Sequence, residues 1–190
     1  MLLTASALVV GLVCGRLLGG RWQAIGGTRL ERWPLLVLGL AGHVAVERAD
    51  PPGAFGILVA SSVALLAVVW ANLRLRGMAV IGLGLAANLA VVVLNAGMPV
   101  RPEALIAAGL ASPEDAEQVE LRGQRRLEQE DDLLVWLGDV IPLRATGQVL
   151  SFGDLVVLAG VADVAAGLLR RRRVDEFRPT AGDLARLWPR

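Results

Sequence analysis

Five stretches of this chain stay apolar for close to the length of a membrane-crossing helix, and nothing else in it limits the fold so strongly. A helix crossing the hydrocarbon core needs about 20 apolar residues, within a range of about 17–25. Runs of this kind lie near residues 2–18, 30–46, 54–70, 78–94 and 152–169. The second is the shortest: its continuous apolar part starts only at Trp33, with Pro34 in the first turn, where no helical amide is needed. The first lacks the basic leader and small-residue cleavage site of a secretory signal. Hydrophobic residues make up 55% of the 190-residue chain, above the roughly 45–50% of soluble domains. The expected fold is all-α: an integral membrane helical bundle of about five transmembrane helices. It forms one domain over residues 1–173, with an outer segment at 99–151 and a short cytoplasmic tail at 174–190.

Arginine placement orients the bundle. The chain contains no lysine, and its 19 basic residues are all arginine. Residues 16–32 carry a net charge of +3, residues 71–77 carry +2, and the tail from Arg170 carries +4. Five spans place these three segments on one side. The other side receives 47–53, at −1, and 99–151, at −5. Basic loops stay in the cytoplasm, which puts the N-terminus outside and the C-terminus inside. Trp22, Trp33 and Trp70 fall at the inner interface and Trp136 at the outer one, as an aromatic belt requires.

Several function classes lack their residues. A single cysteine, Cys14, allows no internal disulfide, and a single histidine without a Cys/His cluster argues against structural zinc. No metal site and no cofactor are expected. No dinucleotide-binding, phosphate-loop, catalytic-triad or zinc-protease pattern occurs, and the basic segments read as membrane flanks rather than as a nucleic-acid surface. An odd number of spans and candidate site residues near the membrane surface argue against a transporter.

Small residues recur every fourth position at Ala7, Gly11, Gly15 and Gly19, and again at Gly82, Ala86 and Ala90. Such stripes let helix backbones approach closely, here within one chain. In the polar segment, Ser112-Pro113-Glu114-Asp115 reads as the start of a short helix reaching about Arg122. Leu105, Ile106 and Leu110 suggest a further helix lying on the membrane surface. The acidic run Glu128, Glu130, Asp131 and Asp132 reads as a solvated face.

Ionisable groups inside spans are costly, and each marks a candidate site. Asp163 lies in the fifth span, where an interfacial arginine such as Arg16 would pair it. His43 and Glu47 share one face of the second helix, with His43 read as a hydrogen-bonded structural histidine. Asn88 and Asn95 share a face of the fourth helix. Ser151 and Asp154 have the spacing of a capping box opening the fifth span, and that alone accounts for Asp154. It does not account for Asp139 and Asn95 arriving at the same depth. Asn88, Asn95 and Ser151 are therefore a candidate polar cluster at the outer boundary. Asp139 and Asp154 are candidate catalytic carboxylates, since two close carboxyls split their pKa values and can activate water. Arg170, Arg171, Arg172 and Arg173 are placed to face lipid, anionic lipid in particular.

Three motifs carry a family likeness. Asn95-x-Gly97-Met98-Pro99, Leu137-Gly138-Asp139-x-Ile141-Pro142 and Ser151-x-Gly153-Asp154 resemble, in order and spacing, the domain-of-unknown-function 5317 family of actinobacterial membrane proteins. The resemblance implies a multi-span helical fold in the bacterial cell (inner) membrane and no assigned activity. Arg144 stands where a second proline of the Ile-Pro motif is expected. Leu150-Ser151-Phe152-Gly153-Asp154 is also similar to the motif that opens the last span of bacterial lipoprotein signal peptidases, implying a catalytic role for Asp154. The other catalytic motif of those enzymes has no counterpart, because Val140 follows Asp139.

Two functions follow as expectations. One is a membrane protein that binds or organises a lipid or membrane-protein partner through the outer polar cluster. The other is a membrane-embedded aspartyl hydrolase using Asp139 and Asp154. The residues leave open whether the chain is an enzyme.

Overall fold

In the computed structural model, residues 2–27, 29–116 and 118–170 are described. The proposed tail, with Arg171, Arg172 and Arg173, lies outside them. The chain is mostly helical: α1 (Leu2–Leu17), α2 (Trp33–Ala49), α3 (Ala54–Ala71), α4 (Met78–Leu94), α5 (Pro102–Ala108) and α6 (Phe152–Arg170). Each expected apolar run forms a helix, the second shifted to start at Trp33, where Pro34 enters its first turn. By length and composition, α3 and α6 are sufficient to cross a membrane, while α1 and α4 are apolar but shorter.

The all-α expectation needs correction. The segment after α4 builds a four-stranded sheet from β1 (Met98–Val100), β2 (Arg125–Leu127), β3 (Asp139–Leu143) and β4 (Gln148–Ser151). The strand order is β2-β1-β3-β4. β1 runs parallel to both β2 and β3, and β3 pairs antiparallel with β4. Strands this short give little periodicity to read, and the polar residues between them mask the pattern. The segment opening at Ser112 is a second correction. The Ser112 hydroxyl does accept the Asp115 amide at 3.2 Å, but turns follow instead of a helix. One cap does not offset the cost of nucleating a helix. The Leu105 region does form the expected further helix, α5. Leu105 is buried with Val100, Ala104, Ala108 and Val149 in a small core between α5 and the sheet.

The long helices pack in the order α1-α6-α4-α3-α2. α6 runs parallel to α1, and Gly11 and Gly15 of the expected stripe form the contact, whereas Gly19 lies beyond the end of α1 with open space beside it. A Cβ on Gly11 would collide with the Ala162 backbone, and one on Gly15 would lie 2.8 Å from the Ala166 Cα. On its other side α6 runs antiparallel to α4. There Gly84 meets Gly153 and Val157, while Gly160 meets Gly77 and Ile81. Helix-to-helix dispersion is strongest where no side chain intervenes. At the end opposite the sheet, Asn72 is fully buried. Its amide donates to the carbonyls of Glu31 and Val68 at 2.9 and 2.8 Å, and its oxygen accepts the Glu31 amide at 3.0 Å. This pins the α1–α2 connection to the end of α3.

The glycine contacts make a paired prediction. Gly84→Val, whose first added carbon would sit 2.5 Å from the Gly153 carbonyl oxygen, should destabilise the fold by about 1–3 kcal/mol through overpacking. Gly56→Ala in α3, where an added carbon meets nothing within 4 Å, should be neutral or stabilising by up to about 1 kcal/mol. Melting midpoints of the purified variants check both.

Candidate functional site

The sheet sits over one end of the bundle because its strands continue the two central helices. β1 follows α4 almost directly, and β4 runs straight into α6. Asp139 pairs across the sheet with Ser151, the residue before α6. The sheet therefore carries Asp139 to the mouth of the bundle, next to the start of α6.

Two bonded groups meet there. In the first, Asp139 Oδ2 accepts Arg125 Nε at 2.8 Å, and the other arm of Arg125 reaches both Glu47 oxygens at 3.0 and 2.9 Å. Gly123 is closed over Glu47: its φ is 72°, and a Cβ there would strike the Glu47 carboxylate. In the second, the capping box forms as the sequence suggests. Ser151 Oγ accepts the Asp154 amide at 2.9 Å, and Asp154 Oδ2 accepts the Ser151 amide at 3.1 Å. Asn88 joins this group, donating to Asp154 Oδ1 at 2.8 Å and accepting the Ser151 hydroxyl at 2.9 Å.

Both groups face one cleft of about 340 Å³ between α2, α4 and the sheet. Val44, Leu58, Leu89 and Val92 give it apolar walls, and Asn88, Arg125, Asp139 and Asp154 give it a polar end. Glu47, Arg125 and Asp139 also wall a second cavity of about 420 Å³, between the sheet and residues 119–122.

The Asp139 side chain is only 2% exposed. Burial raises its pKa, Arg125 lowers it, and Asp154 and Glu47 raise it again, leaving it at about 6. Burial also disfavours the Arg125 charge, but Asp139 and Glu47 outweigh that and hold the guanidinium more firmly protonated.

The sequence-derived candidates divide. Asp139, Asp154, Asn88 and Ser151 come together, but the two carboxylates are held by separate partners and share no hydrogen bond. Asn95 belongs elsewhere. Its side chain clamps the main chain of Leu133 by bonds of 2.9 and 2.8 Å, and its carbonyl accepts Arg126. His43 and Glu47 both line the cleft, as their shared helix face implies. His43 Nδ1 bonds the Gly39 carbonyl at 3.0 Å, in keeping with a structural histidine. Asp163 has Arg76 as its ion-pair partner, at 3.8 Å, in place of Arg16. Arg170 is exposed at the end of α6. The acidic run is not wholly a solvated face: Glu128 pairs with Arg101, and the nearly buried Asp132 pairs with Arg126. Among the described residues, no group of three or more His, Cys, Asp or Glu is arranged to hold a metal.

Sequence reasoning missed Arg125. Its one signal was its position, an arginine inside a segment of net charge −5.

A family model for a family of unknown function, DUF5317, matches residues 52–164. The chain belongs to the DUF5317 family. The match covers α3, α4, the whole sheet and most of α6, and so every lining residue of the cleft outside α2. Comparison with curated proteins and with solved structures gives no match.

The Asp139 environment predicts a pH signature. Unfolded, the group titrates near 3.8; folded, near 6. The folded state binds the proton more tightly, so the stability linked to this group is complete below the lower value. It declines as pH rises through the upper one. Asp139→Asn fixes the uncharged form. Its stability relative to wild type should climb between about pH 4 and pH 6 and then level off, by up to about 3 kcal/mol. Melting midpoints of both proteins across that range provide the check.

Proposed function

We propose that this DUF5317 protein is a five-span protein of the bacterial cell membrane, N-terminus outside, that binds an amphiphilic ligand in the cleft beneath its outer sheet. The cleft carries this reading: its walls are apolar along α2, α3 and α4, and its charged groups gather at one end. A lipid tail suits the first part and a polar head the second.

Exposed apolar side chains support the membrane setting. Leu8, Val9, Val13, Leu38, Val63 and Leu83 are all exposed on the helices, beyond what water-facing helices ordinarily present. Trp22, Trp33 and Trp70, all exposed, lie toward the arginine-rich end, and exposed Trp136 lies at the sheet end. Arg74 and Arg76 close the arginine-rich end between α3 and α4. With Arg170, they suit contact with anionic inner-leaflet lipid.

Binding fits the site better than aspartyl hydrolysis does. A proton-sharing pair needs its carboxyls against each other. Here Asp139 is engaged by Arg125, and Asp154 by Asn88 and its helix cap.

Topology is checked by cysteine labelling in a Cys14→Ala background. Ser112→Cys should react with an impermeant maleimide in intact cells, and Arg29→Cys only after permeabilisation. The reverse pattern would refute the orientation. Ligand binding is checked by filling the cleft. The purified protein should retain lipid detectable by mass spectrometry, and Leu89→Trp should retain markedly less with an unchanged melting midpoint. Equal retention by the two proteins would remove the cleft reading.

A further inference from the structure

The cleft is furnished for a particular head group, an inference that rests on the lipid-binding reading above. Asp139 is almost fully buried, yet only its Oδ2 has a hydrogen-bond partner among the described residues. Its Oδ1 has none, in a side chain that lines both the cleft and the second cavity. A buried carboxylate oxygen without a donor is costly, and a ligand bearing N–H groups would supply one. Asp154 lines the same space, and its bonds come only from neutral groups, the Asn88 amide and the Ser151 backbone. Arg125 is shared between Asp139 and Glu47. The polar end thus holds three carboxylates against one guanidinium, an excess of negative charge. Arg48, exposed, also lines the cleft and has no hydrogen bond or ion pair among the described residues. The remaining titratable group on the cleft, His43, is turned to the Gly39 carbonyl through Nδ1.

We infer that the cleft seats an amine-headed phospholipid from the outer leaflet, its primary ammonium donating to Asp139 Oδ1 and the Asp154 carboxylate and its phosphate meeting Arg48. The cleft offers this head a buried carboxylate, Asp139, and an exposed guanidinium, Arg48. A quaternary ammonium carries the same charge but has no N–H to give, so it leaves Asp139 Oδ1 without a donor. A glycerol head offers hydroxyls and no cation. The apolar walls running down α3 and α4 receive the chains.

The test measures binding of short-chain phosphatidylethanolamine, phosphatidylcholine and phosphatidylglycerol, all with identical acyl chains, to the full-length protein in detergent. Soluble phosphoethanolamine is the fourth probe. The ethanolamine lipid should bind saturably and at least about tenfold more tightly than the choline lipid, the size of one charge-assisted hydrogen bond. Asp139→Asn should collapse that difference. Arg48→Gln, an exposed change, should weaken both lipids by the same factor and keep their ratio. Choline binding as tight as ethanolamine binding in the wild-type protein overturns the inference, and this comparison needs no variant to fold. An ethanolamine preference that survives in folded Asp139→Asn overturns it as well. Phosphoethanolamine binding as tightly as the lipid would assign the site to a soluble amine and overturn the lipid assignment. Equal binding of all three lipids, abolished by Leu89→Trp, would leave the cleft reading standing and remove the ammonium. No lipid binding at all would remove both.

Discussion

Backbone contact between α4 and α6 holds the rest in place. Gly84 faces Gly153, and Gly77 faces Gly160, so the two helices approach with almost no side chain between them. One helix leads into the first strand of the sheet and the other leaves its last. The closeness of that pair therefore fixes how the sheet sits over the bundle and where Asp139 stands relative to Asp154. A wider spacing would separate Asn88 from Ser151 and undo the network that ties α4 to the start of α6.

Charge in the segment between α4 and α6 is organised by arginines. Arg101, Arg125 and Arg126 each hold at least one carboxylate, and between them they join Glu128, Glu47, Asp139 and Asp132. Arg125 differs from the others in bridging the sheet to α2, which otherwise packs mainly against α3. On that side of the cleft the sheet is tied to α2 by charge. Pairs of this kind stabilise little in water but matter more where solvent is excluded.

The helices were legible in the sequence because apolar runs of this length have few other solutions, and Ser151 with Asp154 was legible because a capping box is local. Helix packing through Gly11 and Gly15 could also be read, since a four-residue stripe needs no knowledge of its partner. The sheet was not legible. Its strands have three to five residues, and β1 with β2 and β3 depends on pairings far apart in the chain. Asn95 was misjudged for the same reason. Seven residues from Asn88, it shares that residue's helix face, but it lies at the helix end, where a loop returning from Leu133 claims it. Arg125 was invisible because ion-pair partners cannot be assigned before strand order is known.

The position of α1 has a consequence for assembly. Its main neighbour is α6, the last of the described helices in chain order, and the two are joined by everything in between. While α2 to α4 are being made, the smooth face of α1 has no seat. Closing so long a loop is entropically slow, so the contact between α1 and α6 comes after the elements between them, in a step that waits on synthesis of residues 152–170. A nascent chain stopped before residue 152 would have built the sheet's strands and left them without the helix that anchors them.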